Sequence, residues 1–228
     1  MNKKTTQADA ILHFLSGLQP DFKLPAGVEI MNPFADEKTF SIVNRFYNKF
    51  YKDRSPRCMI FGINPGRFGG GITGIPFTDP HKLKAYCGID HGFKNVKELS
   101  ADFVYAVVNE FGGAEKFYHK FFITAICPLG FTLNGRNMNY YDDKKLVKAT
   151  GPFIIKSIEQ QLNTIASYKV CFCLGEGTNY KYFSGLNEKF HFFDKIIPLP
   201  HPRWIMQYRR KKMEEYVQLY LEIFSTFA

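Results

Sequence analysis

At 228 residues with 45% hydrophobic side chains, the chain has enough apolar material for one α/β domain spanning residues 1–228, and its composition excludes disorder. Lysine and arginine outnumber aspartate and glutamate by 30 to 21, a formal charge of +9 that suits a polyanionic partner and equally a merely soluble surface. The five cysteines form no C-x-x-C pair, which removes the usual zinc and iron–sulfur frameworks; with no signal core and no membrane-length run, the expectation is a cytoplasmic protein.

The first periodic segment, Thr6–Ser16, reads as a helix with Ala10, Leu12 and Leu15 among its apolar positions. Asp36–Phe50 follows, carrying Phe40, Val43, Tyr47 and Phe50 at helical spacing, with Ile42 and Phe46 widening the stripe. Arg57–Ile63 (RCMIFGI) is a short apolar run that stops at Asn-Pro-Gly, the pattern of a buried strand entering a loop. Phe121–Cys127 stops likewise at Pro128, Tyr168–Leu174 at Gly175, and Lys195–Leu199 at Pro200. Helical patterns over Val96–Phe111, Asp142–Ala166 and Tyr208–Phe224 separate these runs. Strands alternating with helices predict a parallel sheet in an α/β sandwich, with ligands bound outside the carboxyl ends of the strands.

The loop Asn64–Phe77 is the most unusual stretch. Gly69, Gly71 and Gly74 satisfy G-x-G-x-x-G after a strand, but Pro76 and Pro80 interrupt the helix that a dinucleotide site needs at its third glycine. No Gly-Lys-Ser/Thr follows, so the nucleotide P-loop is excluded too. A long surface loop remains, one that carries the core-type residues Ile72, Ile75 and Phe77.

Three segments in order carry a resemblance. Gly62–Gly69 (GINPGRFG) with Thr73–Phe77 (TGIPF), Cys127–Phe131 (CPLGF) with Gly135–Asn137 (GRN), and Leu199–Arg203 (LPHPR) are similar to motifs of the uracil-DNA glycosylase superfamily. Within it they most resemble the single-strand-selective monofunctional uracil-DNA glycosylases, over roughly residues 57 to 204, with Val170–Gly177 matching a strand-to-glycine loop. The resemblance implies a three-layer α/β/α sandwich around a mostly parallel four-stranded sheet. It implies a monofunctional DNA glycosylase in base excision repair, which flips a deaminated base out of single- or double-stranded DNA and hydrolyses its glycosidic bond. It implies no metal, no cofactor, no Schiff-base lysine, no membrane and no obligate protein partner.

Carried over residue by residue, Asn64 would hold the attacking water and His201 would stabilise the charge on the departing base. Ile63, Gly66, Phe77 and Ala125 would form the base pocket, with Phe77 stacking on the base. Gly175, Gly177, Arg203 and Trp204 would face DNA, Arg203–Met206 as a short wedge. The residues themselves also admit plainer roles: Asn-Pro-Gly is good turn chemistry, any one of 24 phenylalanines is ordinarily core, and Trp204 can begin the last helix. Lys144, Lys145, Lys148 and Arg209, Arg210, Lys211, Lys212 are candidate phosphate contacts or a solvated face.

One departure bears on specificity. Where the family has an asparagine that reads the uracil edge, this chain has Ala125, so Thr124, Asn134, Asn137 or main-chain amides are the candidate substitutes. Two alternatives share the scaffold: a glycosylase for deaminated purines such as xanthine or hypoxanthine, and a DNA-binding member that has lost the reaction.

Overall fold

The computed structural model describes residues 5–226. Helix α1 (Gln7–Ser16) starts at a capping box in which Thr6 and Asp9 exchange main-chain and side-chain hydrogen bonds. Strand β1 (Val28–Met31) precedes α2 (Glu37–Phe50), which is capped by Asp36 and buries Ile42, Val43, Phe46, Tyr47 and Phe50 at three- and four-residue intervals. Strand β2 (Arg57–Gly62) leads through the glycine loop to α3 (Gly70–Thr73), α4 (Pro80–Ala85), α5 (Leu99–Glu110) and α6 (Ala114–Lys120). Then come β3 (Phe121–Ala125), β4 (Gly130–Leu133), β5 (Arg136–Met138), α7 (Lys144–Thr164), β6 (Ser167–Leu174) and α8 (Thr178–Phe190). Strand β7 (Lys195–Leu199), α9 (Pro202–Tyr208) and α10 (Met213–Ser225) complete the order.

The four expected strands form one sheet in the order β3-β2-β6-β7, and every pairing in it is parallel. Strands β2 and β3 are buried on both faces, as parallel strands covered by helices must be. One face, presenting Ile60, Ile123 and Leu174, meets α5, α6 and α10 through Val104, Val107, Phe117, Tyr220 and Phe224. The other packs on α7 and α8: Thr124 Oγ1 donates to Gln161 at 2.7 Å, and the Phe61 and Phe183 rings lie 4.8 Å apart. The three-layer sandwich is therefore present. All five cysteines sit within it, buried and unpaired.

The buried guanidinium of Arg57 anchors the start of β2. It donates to Tyr118 O, Ser55 O and both Asp53 carboxylate oxygens, and the paired charge holds the Asp53 acid down to about 2.

The structure corrects the sequence reading at three places. A second sheet, antiparallel in the order β1-β4-β5, was not expected, and neither were α6 and α8. The glycine loop contains the one-turn helix α3, and Pro80 opens α4 from its first position instead of only blocking a helix. The last helix does not run from Tyr208. Arg209 breaks it, and a 3-10 turn over Arg210–Lys212, part of a run of four positive charges, separates α9 from α10.

Two glycines test the backbone argument. Gly74 closes α3 at φ +72°, and a methyl group there would overlap Val43 Cγ2, whereas Gly185 lies exposed inside α8 with open space around it. Gly74→Ala is expected to cost about 1–3 kcal/mol of stability and Gly185→Ala to add about 0.5–1 kcal/mol, measured by chemical denaturation. Equal effects at the two sites would contradict the account.

Candidate active site

The carboxyl ends of β2, β3, β6 and β7 open on one cavity, as expected for an open parallel sheet. An outer groove of about 900 Å³ is lined by Asn64, Gly66, Phe77, Gly175, Gly177, His201, Arg203 and Trp204. A narrow inner pocket of about 60 Å³ adds Gly62 and Ala125, and it shares Ile63, Asn64, Gly66 and Phe77 with the groove. All ten candidates from the sequence thus surround one connected space.

Asn64 leaves the end of β2 with its amide engaged on both sides. Nδ2 donates to Met138 O at 3.2 Å, and Oδ1 accepts from the Tyr140 main-chain N–H at 3.0 Å. An amide oxygen has two acceptor sites, so one remains for a water or ligand in the cavity. Ile126 N–H donates to Gly62 O and Cys127 N–H to Ile63 O, which extends the pairing of β2 and β3 up to the site itself.

Phe77 has φ +51°, a left-handed conformation that is uncommon for a bulky residue and must be imposed by its surroundings. Thr73 Oγ1 donates to Thr78 O at 2.6 Å, and Thr78 Oγ1 lies 3.0 Å from Tyr105 Oη, so both flanks of the turn are tied down. The ring needs the missing side chain of Gly62, where a methyl would stand 3.0 Å from Phe77 Cε2. It lies 5.9 Å from the His201 ring at an interplanar angle of 55°.

His201 lies between Pro200 and Pro202 and caps α9, its Nδ1 accepting from the Arg203 N–H at 3.1 Å. That bond assigns the proton to Nε2. Burial and the neighbouring Arg203 charge push the imidazole down to about 4, so it is a neutral donor at physiological pH. Gly175, at φ +111°, gives up its N–H to Leu199 O at 2.8 Å, and a side chain there would approach both Asn179 and the His201 ring. Gly177 precedes α8, with open space where a side chain would project.

The Arg203–Met206 segment, expected as a wedge, forms a helical turn of α9. Trp204 is neither core nor the start of the last helix: 39% exposed at the groove rim, it meets Tyr216 edge-on at 6.0 Å, with the Arg209 guanidinium 5.1 Å from its ring centroid. Arg67, Arg136 and Arg203 line the groove, while Lys144, Lys145, Lys148 and residues 209–212 lie outside its lining.

Of the candidate substitutes for the amide missing at Ala125, Thr124 is committed to Gln161. Asn134 occupies a left-handed turn position outside the lining, and Asn137 lines the groove with its Oδ1 accepting from Arg67 N–H at 3.1 Å. Sequence reasoning missed Glu98 altogether. Its carboxyl borders both the groove and the inner pocket, and burial together with Asp79 raises the acid to about 7, against the opposing pull of Arg203.

A family model described as the uracil DNA glycosylase superfamily matches residues 49–225. The chain is also similar to the crystal structure of wild-type SMUG2 from Pedobacter heparinus, at 44% identity and a TM-score of 0.94, covering 97% of this chain and 98% of that one. No curated protein matches the sequence.

His201 and Glu98 give stability opposite pH slopes. The folded-state value of His201, about 4, lies below its ordinary 6.5, so its contribution is complete above pH 6.5 and is lost as pH falls towards 4. Glu98, raised from 4.5 to about 7, works the other way, and its contribution is lost as pH rises through that interval. Glu98→Gln should therefore be more stable than the parent by roughly 1–3 kcal/mol at pH 8.5 and close to it at pH 4.5, a range discounted for partial exposure. Urea titrations at the two pH values measure this, and an equal difference at both would refute it.

Proposed function

The chain belongs to the uracil DNA glycosylase superfamily, and from that membership we propose that Asn64 and His201 are its catalytic pair. The protein is a DNA glycosylase, a hydrolase that removes uracil or related damaged bases in DNA repair. The observation that carries the assignment is the convergence of a neutral imidazole and a locked asparagine amide on one cavity.

A target base inside a duplex is out of reach of water, so it must be extruded into the pocket. There Phe77 offers a flat face, and Gly66, without a side chain, leaves the passage from groove to inner pocket open. Water held on the free acceptor site of Asn64 Oδ1 attacks the sugar carbon as the glycosidic bond breaks, and the proton it then sheds passes through solvent to the released base anion. The bond's electron pair leaves with the base, whose developing charge accepts a hydrogen bond from His201 Nε2–H. A neutral donor fixed in place before the reaction stabilises that charge without reorganising. Asn64 carries no basic group of its own, so it orients the water and does not deprotonate it.

Arg203 and Trp204, on the groove rim, take the DNA side of this reading, with the main chain at Gly175 and Gly177 meeting the backbone. One domain spanning the chain carries these parts. Five unpaired thiols support a reducing cytoplasm as its location. No helix among the described residues is long and apolar enough to cross a membrane.

His201→Ala is expected to slow single-turnover base release by roughly 10²–10³-fold with little loss of DNA affinity, and Asn64→Ala to be similarly severe. Full activity in both variants would remove the mechanism.

Ala125, at the end of β3, lines the inner pocket without an amide to read a pyrimidine edge, which favours a base range extending to deaminated purines. Ala125→Asn should shift the ratio of uracil to hypoxanthine excision towards uracil by about 5- to 100-fold, the worth of a hydrogen-bonded base contact. An unchanged ratio, measured on matched oligonucleotides, would show that residue 125 does not read the base.

A further inference from the structure

The pocket contains an acid that the proposed mechanism does not use. The main-chain N–H of Glu98 donates to Asp79 Oδ2 at 2.9 Å, while Asp79 Oδ1 caps α4 by accepting from Lys82 N–H at 2.8 Å. This buried aspartate fixes the backbone of Glu98 where α5 begins, yet the glutamate side chain makes no helix cap. It reaches over the glycine loop instead. A methyl at Gly69 would overlap Glu98 Oε2, and one at Gly66 would stand 3.5 Å from Glu98 Oε1 and 3.6 Å from Asn137 Nδ2. The carboxyl and the Asn137 amide therefore converge on Gly66 at the boundary between groove and inner pocket.

Among the described residues no donor or cation bonds the Glu98 carboxyl. A partly buried carboxyl without a partner is costly, and the cost falls if the group stays protonated and a ligand completes its hydrogen bonds. A carboxylic acid presents an O–H donor beside a carbonyl acceptor. Deaminated bases share the complementary feature, a ring carbonyl beside a ring N–H. An ionised carboxylate has no donor, and it would repel both the base carbonyls and the departing anion.

We propose that Glu98, in its acid form, is the base reader that replaces the amide missing at residue 125, pairing its O–H and C=O with the adjacent carbonyl and N–H of the extruded base. Asn137, its oxygen accepting from Arg67 N–H, supplies a further donor beside Gly66, where its Nδ2 and Glu98 Oε1 face the same space. The assignment rests on the reading that an extruded deaminated base enters this pocket. Burial, and the Asp79 charge from the start of α4, keep Glu98 protonated up to about 7, with Arg203 on α9 opposing them. Arg67, Arg136, Glu176, His201, Tyr141 and Tyr208 complete the titratable and charged lining.

The test is single-turnover excision of uracil and hypoxanthine from duplex oligonucleotides between pH 5.5 and 8.5, with the parent protein, Glu98→Gln and Glu98→Ala. The parent rate should fall about tenfold between pH 7 and 8.5 as the reader ionises. Glu98→Gln keeps a donor and an acceptor without titrating, so it should lack that alkaline limb. Glu98→Ala should lose about 10- to 100-fold at every pH and change the ratio between the two bases. A Glu98→Gln profile with the parent's alkaline limb, or a Glu98→Ala variant with the parent's rates and ratio, would overturn the role of Glu98 and leave the pocket's reading intact. A parent protein that excises no base would overturn both.

Discussion

A single side-chain amide ties the two sheets together. Asn64 follows β2, an inner strand of the parallel sheet, and its donor and acceptor both engage main chain around the end of the antiparallel sheet, at Met138 and Tyr140. From there the connection continues: Tyr140 Oη donates to Asn179 Oδ1 at 2.9 Å, and Asn179 Nδ2 donates to Leu174 O at 3.1 Å, where β6 gives way to Gly175. Gly175 N–H in turn binds Leu199 O, two residues before His201. The ends of β2, β5, β6 and β7 are thereby held in one hydrogen-bonded chain. Each buried link left open would cost about 1–3 kcal/mol, so the chain resists opening at any one point. Orientation of the reactive side chains is a property of this chain more than of any loop alone.

The glycines around the site follow from crowding. Gly62 makes room for the Phe77 ring, Gly69 for the Glu98 carboxyl, and Gly71 for the carbonyl of Gly66, which would press against a methyl there. Gly74 is needed for its left-handed turn. A G-x-G-x-x-G spacing arises here because main chain and side chains of the same protein come close together, with no phosphate required. That physical origin distinguishes this loop from a dinucleotide site, in which the glycines serve the approach of a ligand.

The parallel sheet was legible because each of its strands is a largely apolar run closed by proline or glycine, a pattern that survives without any tertiary information. The antiparallel sheet was not, since Val28–Met31, Gly130–Leu133 and Arg136–Met138 are too short to show a period. Helix α8 escaped notice because it buries only Asn179 and Phe183 along thirteen residues. At the site, Asn64, Phe77 and His201 stood out through their motifs. Glu98 could not: it lies in a polar stretch, and its direction is set by a hydrogen bond to Asp79 nineteen residues earlier. A hydrogen bond between two loop residues leaves no periodic trace in sequence.

The cysteines within the sandwich have a consequence of their own. Cys58, Cys127 and Cys173 are pushed up to about 12 and Cys87 to about 11, and Cys171 is raised as well, all chiefly by burial. Only the thiolate attacks an alkylating or oxidising reagent, so the folded chain presents almost no reactive sulfur. Opening of the sheet would release these thiols to their ordinary acidity. The rate at which they become modifiable is then a built-in clock for how often the core breathes, readable from the mass that a thiol reagent adds.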